Sequence, residues 1–351
     1  MEITVEKCPS NADNRQAKIS MILASGDKNI DLISVNDEMI SEFKHKGYLE
    51  PLEKNVMTEE VRDSFPQKYL ESICEENGHI YSVPFQMDIM MFWVNQELLK
   101  QAGLDEIKNT GDFDILQKSL KNPDQYAYGD AWENTHVYNS LSQFVNFWGG
   151  DYFDWTDPKT KDAARYMKSM LDEKNTSPAQ FVDQYEQMEE KFIRGKYGCV
   201  FMYTSALGTF LDADVYGKNK IHMAPLPVLH KKKATNIATW QYVLNNASEN
   251  KDAAVRFLQY AAGYEGSTEY AKIMKSYPAR VDVIENEDID LEGIDMIRKY
   301  LREYTLNARP LCENSMGAVS DMGKLFQGYV LGQCEEDSFF EQAQNCINTY
   351  Y

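Results

Sequence analysis

The sequence predicts an α/β fold on three observations. Short β-rich runs alternate with longer stretches of helical periodicity, the rhythm of α/β domains with largely parallel sheets. At roughly 150 residues per domain, 351 residues correspond to about two domains. With 43% hydrophobic and 12% aromatic residues, the chain has enough apolar material for a real core.

Taken in order, 30–35 (Ile-Asp-Leu-Ile-Ser-Val) is a strand, followed by a short helix over 39–45 that Gly47 ends. Pro84 fixes a bend ahead of the apolar run 85–94, which contains Asp88. Asn95 then caps a helix over 97–102 that stops at Gly103. The middle of the chain is more helical. Residues 137–148 show helical spacing and stop at Gly149-Gly150. After Asp157-Pro158, residues 160–171 gather Ala163, Ala164, Met167, Met170 and Leu171 on one side. A helix over 185–194 closes at Gly195, and Gly198 turns the chain into a strand over 199–203. Ala224-Pro225-Leu226-Pro227 with Lys231, Lys232 and Lys233 reads as an exposed connection before a strand over 237–244. A helix from Lys251 to about Ala261 and one more helix lead to a turn at Tyr277-Pro278-Ala279-Arg280. Residues 285–295 hold six acids in eleven positions without the glycine and ligand spacing of a calcium loop, so they read as a solvated acidic face.

Composition excludes several functions. Thirty-six Lys and Arg against 55 Asp and Glu leave a net charge of −19, and the one basic cluster is 231–233. A nucleic-acid binder needs a basic face to displace counterions, and a polybasic membrane-docking protein needs one too. No apolar run approaches the ~20 residues of a bilayer span. The start, Met1-Glu2-Ile3-Thr4, lacks the pattern of a signal peptide, so the chain is expected to be cytoplasmic or to have lost a leader. The six cysteines (8, 74, 199, 312, 334 and 346) show no zinc-knuckle spacing. They read as buried thiols, Cys334 and Cys346 being the pair to check for a bridge.

Searches for catalytic signatures return little. There is no Gly-x-Ser-x-Gly elbow, no Gly-x-Gly-x-x-Gly turn, no phosphate-cradling loop and no His-x-x-x-His pair among the five histidines. Neither a metal site nor a cofactor is expected. Carboxylate dyads are invisible in a sequence with 55 acids, so a carbohydrate-active hydrolase stands as the alternative reading. The positive signal is aromatic: Trp132, Trp148, Trp155, Trp240, Tyr126, Tyr128, Tyr138, Tyr152, Tyr203 and Tyr242 are often flanked by Asp, Asn, Gln or Thr. Sugars offer a C–H face to a ring and hydroxyls to amides and carboxylates, whereas rings of this kind also simply fill cores. Trp148, within a helical pattern, reads as core; Trp132, in a loop, and Trp240, beside Gln241 on a strand, read as binding residues.

Several segments, in order, resemble the extracellular solute-binding proteins of ABC importers, of the carbohydrate-binding family 1 type. They are Leu23-Ala24-Ser25-Gly26-Asp27-Lys28-Asn29-Ile30-Asp31-Leu32-Ile33, Gly47-Tyr48-Leu49-Glu50-Pro51-Leu52, Gly78-His79-Ile80-Tyr81-Ser82-Val83-Pro84, Val94-Asn95-Gln96-Glu97-Leu98-Leu99 and Phe192-Ile193-Arg194-Gly195-Lys196-Tyr197-Gly198. Pro225-Leu226-Pro227, Trp240, Asn250-Lys251-Asp252, Tyr277-Pro278-Ala279-Arg280 and Ala308-Arg309-Pro310 extend the likeness over 20–350. Two departures stand out. Ala238-Thr239 replaces the usual paired glycines before the tryptophan, and the chain opens at the family's second strand, matched by Ile3-Thr4-Val5-Glu6, without the first strand and helix.

The resemblance implies a two-lobed, type II periplasmic-binding-protein-like α/β fold with the ligand cleft between lobes. Crossovers near Phe92, Gln241 and Glu287 give one lobe of 1–92 plus 242–286 and another of 93–241 plus 287–351. It implies a sugar or oligosaccharide as ligand, hinge closure as mechanism, ABC permease subunits as partners, a monomer, and a lipid-anchored or periplasmic location in the precursor. A ligand sensor on the same fold is a further alternative. By position, Asp37 and Asp88 match cleft acids, although Asp37 equally suits a helix cap. Trp240 matches the stacking ring and Tyr203 a second aromatic cleft position. Gln86, Trp132, Gln241, Arg280 and Arg309 complete the expected ligand contacts, the arginines having ion pairs at helix ends as their alternative role.

Overall fold

A computed structural model describes residues 2–9 and 12–351. The chain divides into two compact units, one of 1–88, 238–294 and 311–315, the other of 89–237, 295–310 and 316–351. The divisions at 88/89, 237/238 and 294/295 lie four, four and eight residues from the expected crossovers. A short return at 311–315 was not foreseen. Two of these divisions fall inside uninterrupted strands, Ser82–Asn95 and Ala234–Leu244, where no change of composition marks them.

In the first unit, strand Leu32–Asn36 runs antiparallel to the end of Ala234–Leu244, in a register that sets Leu32 opposite Leu244 and Asn36 opposite Trp240. Ile33 and Val35 point into the core, and helix Asp37–His45 follows at once, burying Met39, Ile40 and Phe43. Gly47 ends that turn in the left-handed region, φ +69°. Residues 2–9 form no strand, contrary to the expectation for 3–6. No strand pairs with their backbone among the described residues; Lys18 Nζ reaches the Lys7 carbonyl at 3.5 Å, and Ile3 and Val5 stand exposed.

The second unit pairs Tyr126–Gly129 parallel with Tyr197–Tyr203, and the latter antiparallel with 90–94 of the long strand. Ile221–Ala224 pairs antiparallel with 92–95, and Thr305–Ala308 parallel with 234–237. Antiparallel pairs therefore outnumber parallel ones, correcting the expectation of a largely parallel sheet. The long strand Ser82–Asn95 meets both Tyr197–Tyr203 and Ile221–Ala224 antiparallel, and Ala234–Leu244 is antiparallel to Leu32–Asn36 but parallel to Thr305–Ala308. Pro84 does not break the chain either; Ser82–Asn95 runs straight through it. Helix boundaries follow their caps. Asn95 Oδ1 accepts from the amides of Glu97 and Leu98 at 3.1 and 3.2 Å, and helix Gln96–Gln101 begins there. Helix Val137–Trp148 ends at Gly149, and Asp157 caps Pro158–Asp172. All six cysteines are free thiols, four of them buried. Among the described residues no helix is long and apolar enough to cross a membrane.

Candidate functional site

The expected site residues of the first unit separate into an interior network and a surface patch, and strand alternation decides which is which. On Ala234–Leu244, Thr239 and Gln241 face inward while Trp240 faces the other way and is only partly buried. Tyr69 lies at the centre of the interior network. Its hydroxyl donates to Asp37 Oδ2 at 2.9 Å, accepts from Gln241 Nε2 at 3.2 Å and lies 2.7 Å from Thr239 Oγ1. Cys74 Sγ donates to Gln241 Oε1 at 3.1 Å, and burial pushes that thiol up to about 12. Lys44 Nζ, buried alongside, donates to the carbonyls of Ile73 and Glu75, and burial lowers its pKa. Asp37 and Gln241 are thus brought together, but as fully buried members of a structural network and not as an open ligand surface.

Trp240 has different neighbours. The Arg15 guanidinium sits 5.2 Å over its ring, and the residue opposite it in register is Asn36. Asn36 Nδ2 donates to Glu38 Oε2 at 2.9 Å, while its Oδ1 is buried with no hydrogen-bond partner. A buried acceptor left unmade is costly, so this oxygen is suited to a donor from outside the chain. Asn36 occupies the C-terminal end of its strand, where α/β units bind ligands. Gln86 and Asp88 share one side of strand Ser82–Asn95. Gln86 Oε1 accepts from the Tyr270 hydroxyl at 2.7 Å, and Asp88 is buried. Arg280 is a structural clamp. It forms a two-point pair with Asp282 and donates to Ser64 Oγ and to the Ala262 carbonyl, both at 2.8 Å. It stands at the N-cap of helix Val281–Glu285, the helix-end alternative for this residue.

In the second unit Tyr203 and Arg309 come together and Trp132 does not join them. The Arg309 guanidinium lies 5.8 Å from the Tyr203 ring and 5.9 Å from that of Tyr138, whose hydroxyl accepts from Arg309 Nη1 at 2.7 Å. Tyr203, at the C-terminal end of strand Tyr197–Tyr203, donates to Asn139 Oδ1 at 2.8 Å and meets Tyr185 edge to face. Trp132 is fully buried between Phe181 and Phe326. Its Nε1 donates to Asp130 Oδ2 at 2.8 Å. The loop position that suggested a binding ring instead carries a core ring. Tyr138, Asn139, Tyr185, Arg15 and Asn36 were not among the expected contacts. Of these only Tyr138 carried a signal, as one of the aromatic residues with polar flanks.

The loop from Asp130 to His136 is held firmly. Asp130, fully buried, accepts from Tyr128 Oη at 2.6 Å, Trp132 Nε1 at 2.8 Å, Ser140 Oγ at 2.6 Å and the Ala131 amide at 2.8 Å. Burial still raises its carboxyl pKa against the pull of those four donors. Glu133 is the opposite case. A hydrogen bond with His136, then bonds from Thr135, bring it down to about 2. A depressed acid adds stability that is complete above its ordinary value near 4.5 and is lost as pH falls towards 2. The expected result is that Glu133→Gln lowers the thermal midpoint at neutral pH and that the difference from wild type shrinks as pH falls below about 4.5. A difference constant with pH would mean the Glu133 carboxylate contributes nothing of this kind. Among the described residues, no group of three or more His, Cys, Asp or Glu is placed to hold a metal ion.

A family model described as bacterial extracellular solute-binding protein matches residues 4–268. A probable amino-acid ABC transporter periplasmic-binding protein of Sinorhizobium fredii is 24% identical over 239 residues, 65% of this chain and 54% of that protein. An arabinooligosaccharide-binding protein of Bacillus subtilis is 22% identical over 286 residues, 77% of this chain and 65% of that protein. The chain thus spans less than two thirds of either relative. The structure of maltose-bound MalE3 from T. maritima superimposes with a TM-score of 0.81 at 17% identity, covering 97% of this chain and 90% of that one. The fold is therefore that of the type II periplasmic-binding proteins, as the sequence resemblance implied.

Proposed function

Since the chain belongs to the family of bacterial extracellular solute-binding proteins, we propose that it captures a sugar or oligosaccharide and delivers it unchanged to an ABC importer. The observation that carries this reading is the pairing of Trp240 with Asn36. A partly exposed ring offers a stacking face, and beside it a buried amide oxygen lacks a donor. A sugar satisfies both at once, with its C–H face on the ring and a hydroxyl on the oxygen. The Tyr138, Tyr203, Asn139 and Arg309 group adds a second cluster of rings, amide and guanidinium, though all four residues are buried. An amino acid would call for a paired carboxylate and ammonium recognition set, and Arg280, the better-built cation, is already spent on Asp282. The arabinooligosaccharide and maltose in the relatives' names point the same way.

On this reading the protein works as a monomer on the extracellular face, lipid-anchored or periplasmic in its precursor. It breaks no bond and presents its loaded form to permease subunits. The test is a thermal-shift screen with maltose, arabinooligosaccharides and other mono- and oligosaccharides, against amino acids, peptides and polyamines. A ligand at 100 times its Kd adds about 2.7 kcal/mol to the folded state, a visible rise in the midpoint. A rise with one sugar series, and that sugar recovered intact, is expected. Shifts confined to amino acids, or cleavage of the glycan, would replace this reading.

A further inference from the structure

We propose that Glu38 is a positioning residue for ligand binding: it holds the Asn36 amide away from the helix that this residue would otherwise cap, and keeps Oδ1 ready for a sugar hydroxyl. The inference rests on the sugar-binding reading above. Asn36 is the N-cap of helix Asp37–His45, with an extended backbone of φ −81° and ψ 165°. Asparagine is among the strongest N-cap residues, because its Oδ1 accepts from an amide of the first turn. Here the side chain makes no capping bond. Its Nδ2 donates to Glu38 Oε2 at 2.9 Å instead, and Oδ1 is buried with no hydrogen-bond partner. Chemistry fixes which end of the amide is which, since a carboxylate oxygen accepts and only the NH2 end donates to it.

This arrangement forgoes two contributions at once. The first turn of the helix lacks its side-chain acceptor, and a buried oxygen goes without a donor. Rotation of the amide towards the helix would recover both, and Glu38, two positions on, is the group that opposes it. Other N-caps of the chain behave in the ordinary way. Asn95 Oδ1 accepts from the amides of Glu97 and Leu98, while Asn109 Oδ1 accepts from Gly111 and Asp157 Oδ1 from Lys159, both at 2.9 Å. Asn36 is set apart from them by its place in the sheet. In the antiparallel register it stands directly opposite Trp240, and opposite residues share one face. Ile33 and Val35 point to the other face, into the core.

The geometry of this pair gives the acceptor its use. A sugar lying on the Trp240 ring presents hydroxyls at its rim, and the residue alongside supplies an oxygen whose amide is already fixed at its other end. An amide that capped the helix would have to leave it before meeting a ligand and would then lose rotational freedom. One held by Glu38 has done both in advance. The oxygen has no open surface, so the hydroxyl reaches it as a neighbouring side chain gives way, and the long Arg15 side chain over the ring is the one on that face. Glu38 is half-buried in the first turn, where a negative charge also favours the helix dipole. Glutamine at this position would end the dipole effect and keep the hold on Asn36, which separates the two roles.

The experiment pairs stability with affinity in wild type, Glu38→Gln, Glu38→Ala, Asn36→Ala and the double variant Glu38→Ala/Asn36→Ala, by thermal unfolding and by calorimetric titration with maltose and arabinotriose. Replacing a working N-cap asparagine by alanine lowers the midpoint by about 1–3 °C in a chain of this size. In the wild-type background Asn36→Ala is expected to leave the midpoint unchanged, because no cap is lost. In the Glu38→Ala background the amide is free to cap, and the same change is expected to lower the midpoint. Affinity is expected to fall about 3- to 10-fold in Glu38→Ala and in Asn36→Ala, the worth of one neutral hydrogen bond. It is expected to hold within about twofold in Glu38→Gln, whose side-chain oxygen still accepts from Nδ2. A Glu38 that acts on the dipole alone would lower the midpoint in both of its variants and move neither affinity. An equal loss of stability on Asn36→Ala in the two backgrounds, or full affinity in Glu38→Ala, overturns the proposal while sugar binding itself stands. Absence of any sugar shift in a folded sample overturns both.

Discussion

Asp130→Ala is expected to destabilise the second unit by on the order of 4 kcal/mol and to leave much of the protein unfolded on expression. The side chain has no exposed surface and accepts four hydrogen bonds from three structural levels: Tyr128 on strand Tyr126–Gly129, Trp132 and Ala131 in the following loop, and Ser140 on helix Val137–Trp148. Removing it leaves four buried donors without partners, each costing roughly 1–3 kcal/mol before relaxation or entering water repays part of it. Asp130→Asn separates charge from geometry. Each carboxylate oxygen accepts two bonds, so an amide keeps one pair and sets an NH2 group against the other pair of donors. About half the loss of the alanine variant is expected. Urea unfolding checks both. An alanine variant within 1 kcal/mol of wild type would show that the loop is held by its other contacts.

Much of the fold was legible because its boundaries are made by local chemistry. Asn95, Gly149 and Asp157 end or begin helices through bonds to residues two or three positions away, or through a left-handed φ, and sequence shows both directly. The sheet was less legible. Nothing within 82–95 or 234–244 reports that each strand continues from one compact unit into the other, and pairing direction depends on which distant strand lies alongside. The expected strand at 3–6 had suitable composition but no partner, and a strand without a ladder is only an extended chain.

The candidate site divided along the same line. Asp37 and Gln241 were picked out as polar residues at plausible positions, and both are consumed by Tyr69, which lies 32 and 172 positions away. Trp132 was picked out for its polar neighbours, one of which, Asp130, is the acceptor that fastens it into the core. Arg15 and Asn36, by contrast, became visible only when strand register set Asn36 against Trp240 and packing laid the guanidinium over the ring. Proximity in sequence pointed to Trp240 and Gln241 as partners. The two-residue period of a strand sends them to opposite faces.

That alternation sharpens what Trp240 should do. Were it a core residue like Thr239 and Gln241, its loss would cost stability and leave affinity alone. Because its ring is partly exposed, shares a register position with an unpartnered Asn36 oxygen, and carries Arg15 over it, the larger loss should fall on binding. Trp240→Ala is expected to weaken sugar affinity by about 1–3 kcal/mol, roughly 5- to 150-fold, from the lost stacking face and its buried area. Trp240→Phe keeps an aromatic face of smaller area and should recover much of that affinity. Arg15→Gln removes the cation above the ring without touching the ring itself, and separates a ligand that stacks on the tryptophan from one that depends on the guanidinium. Titration calorimetry alongside thermal unfolding distinguishes the cases. Unchanged affinity in Trp240→Ala together with a lower unfolding midpoint would assign the ring to packing, and the Asn36 acceptor would then need another explanation.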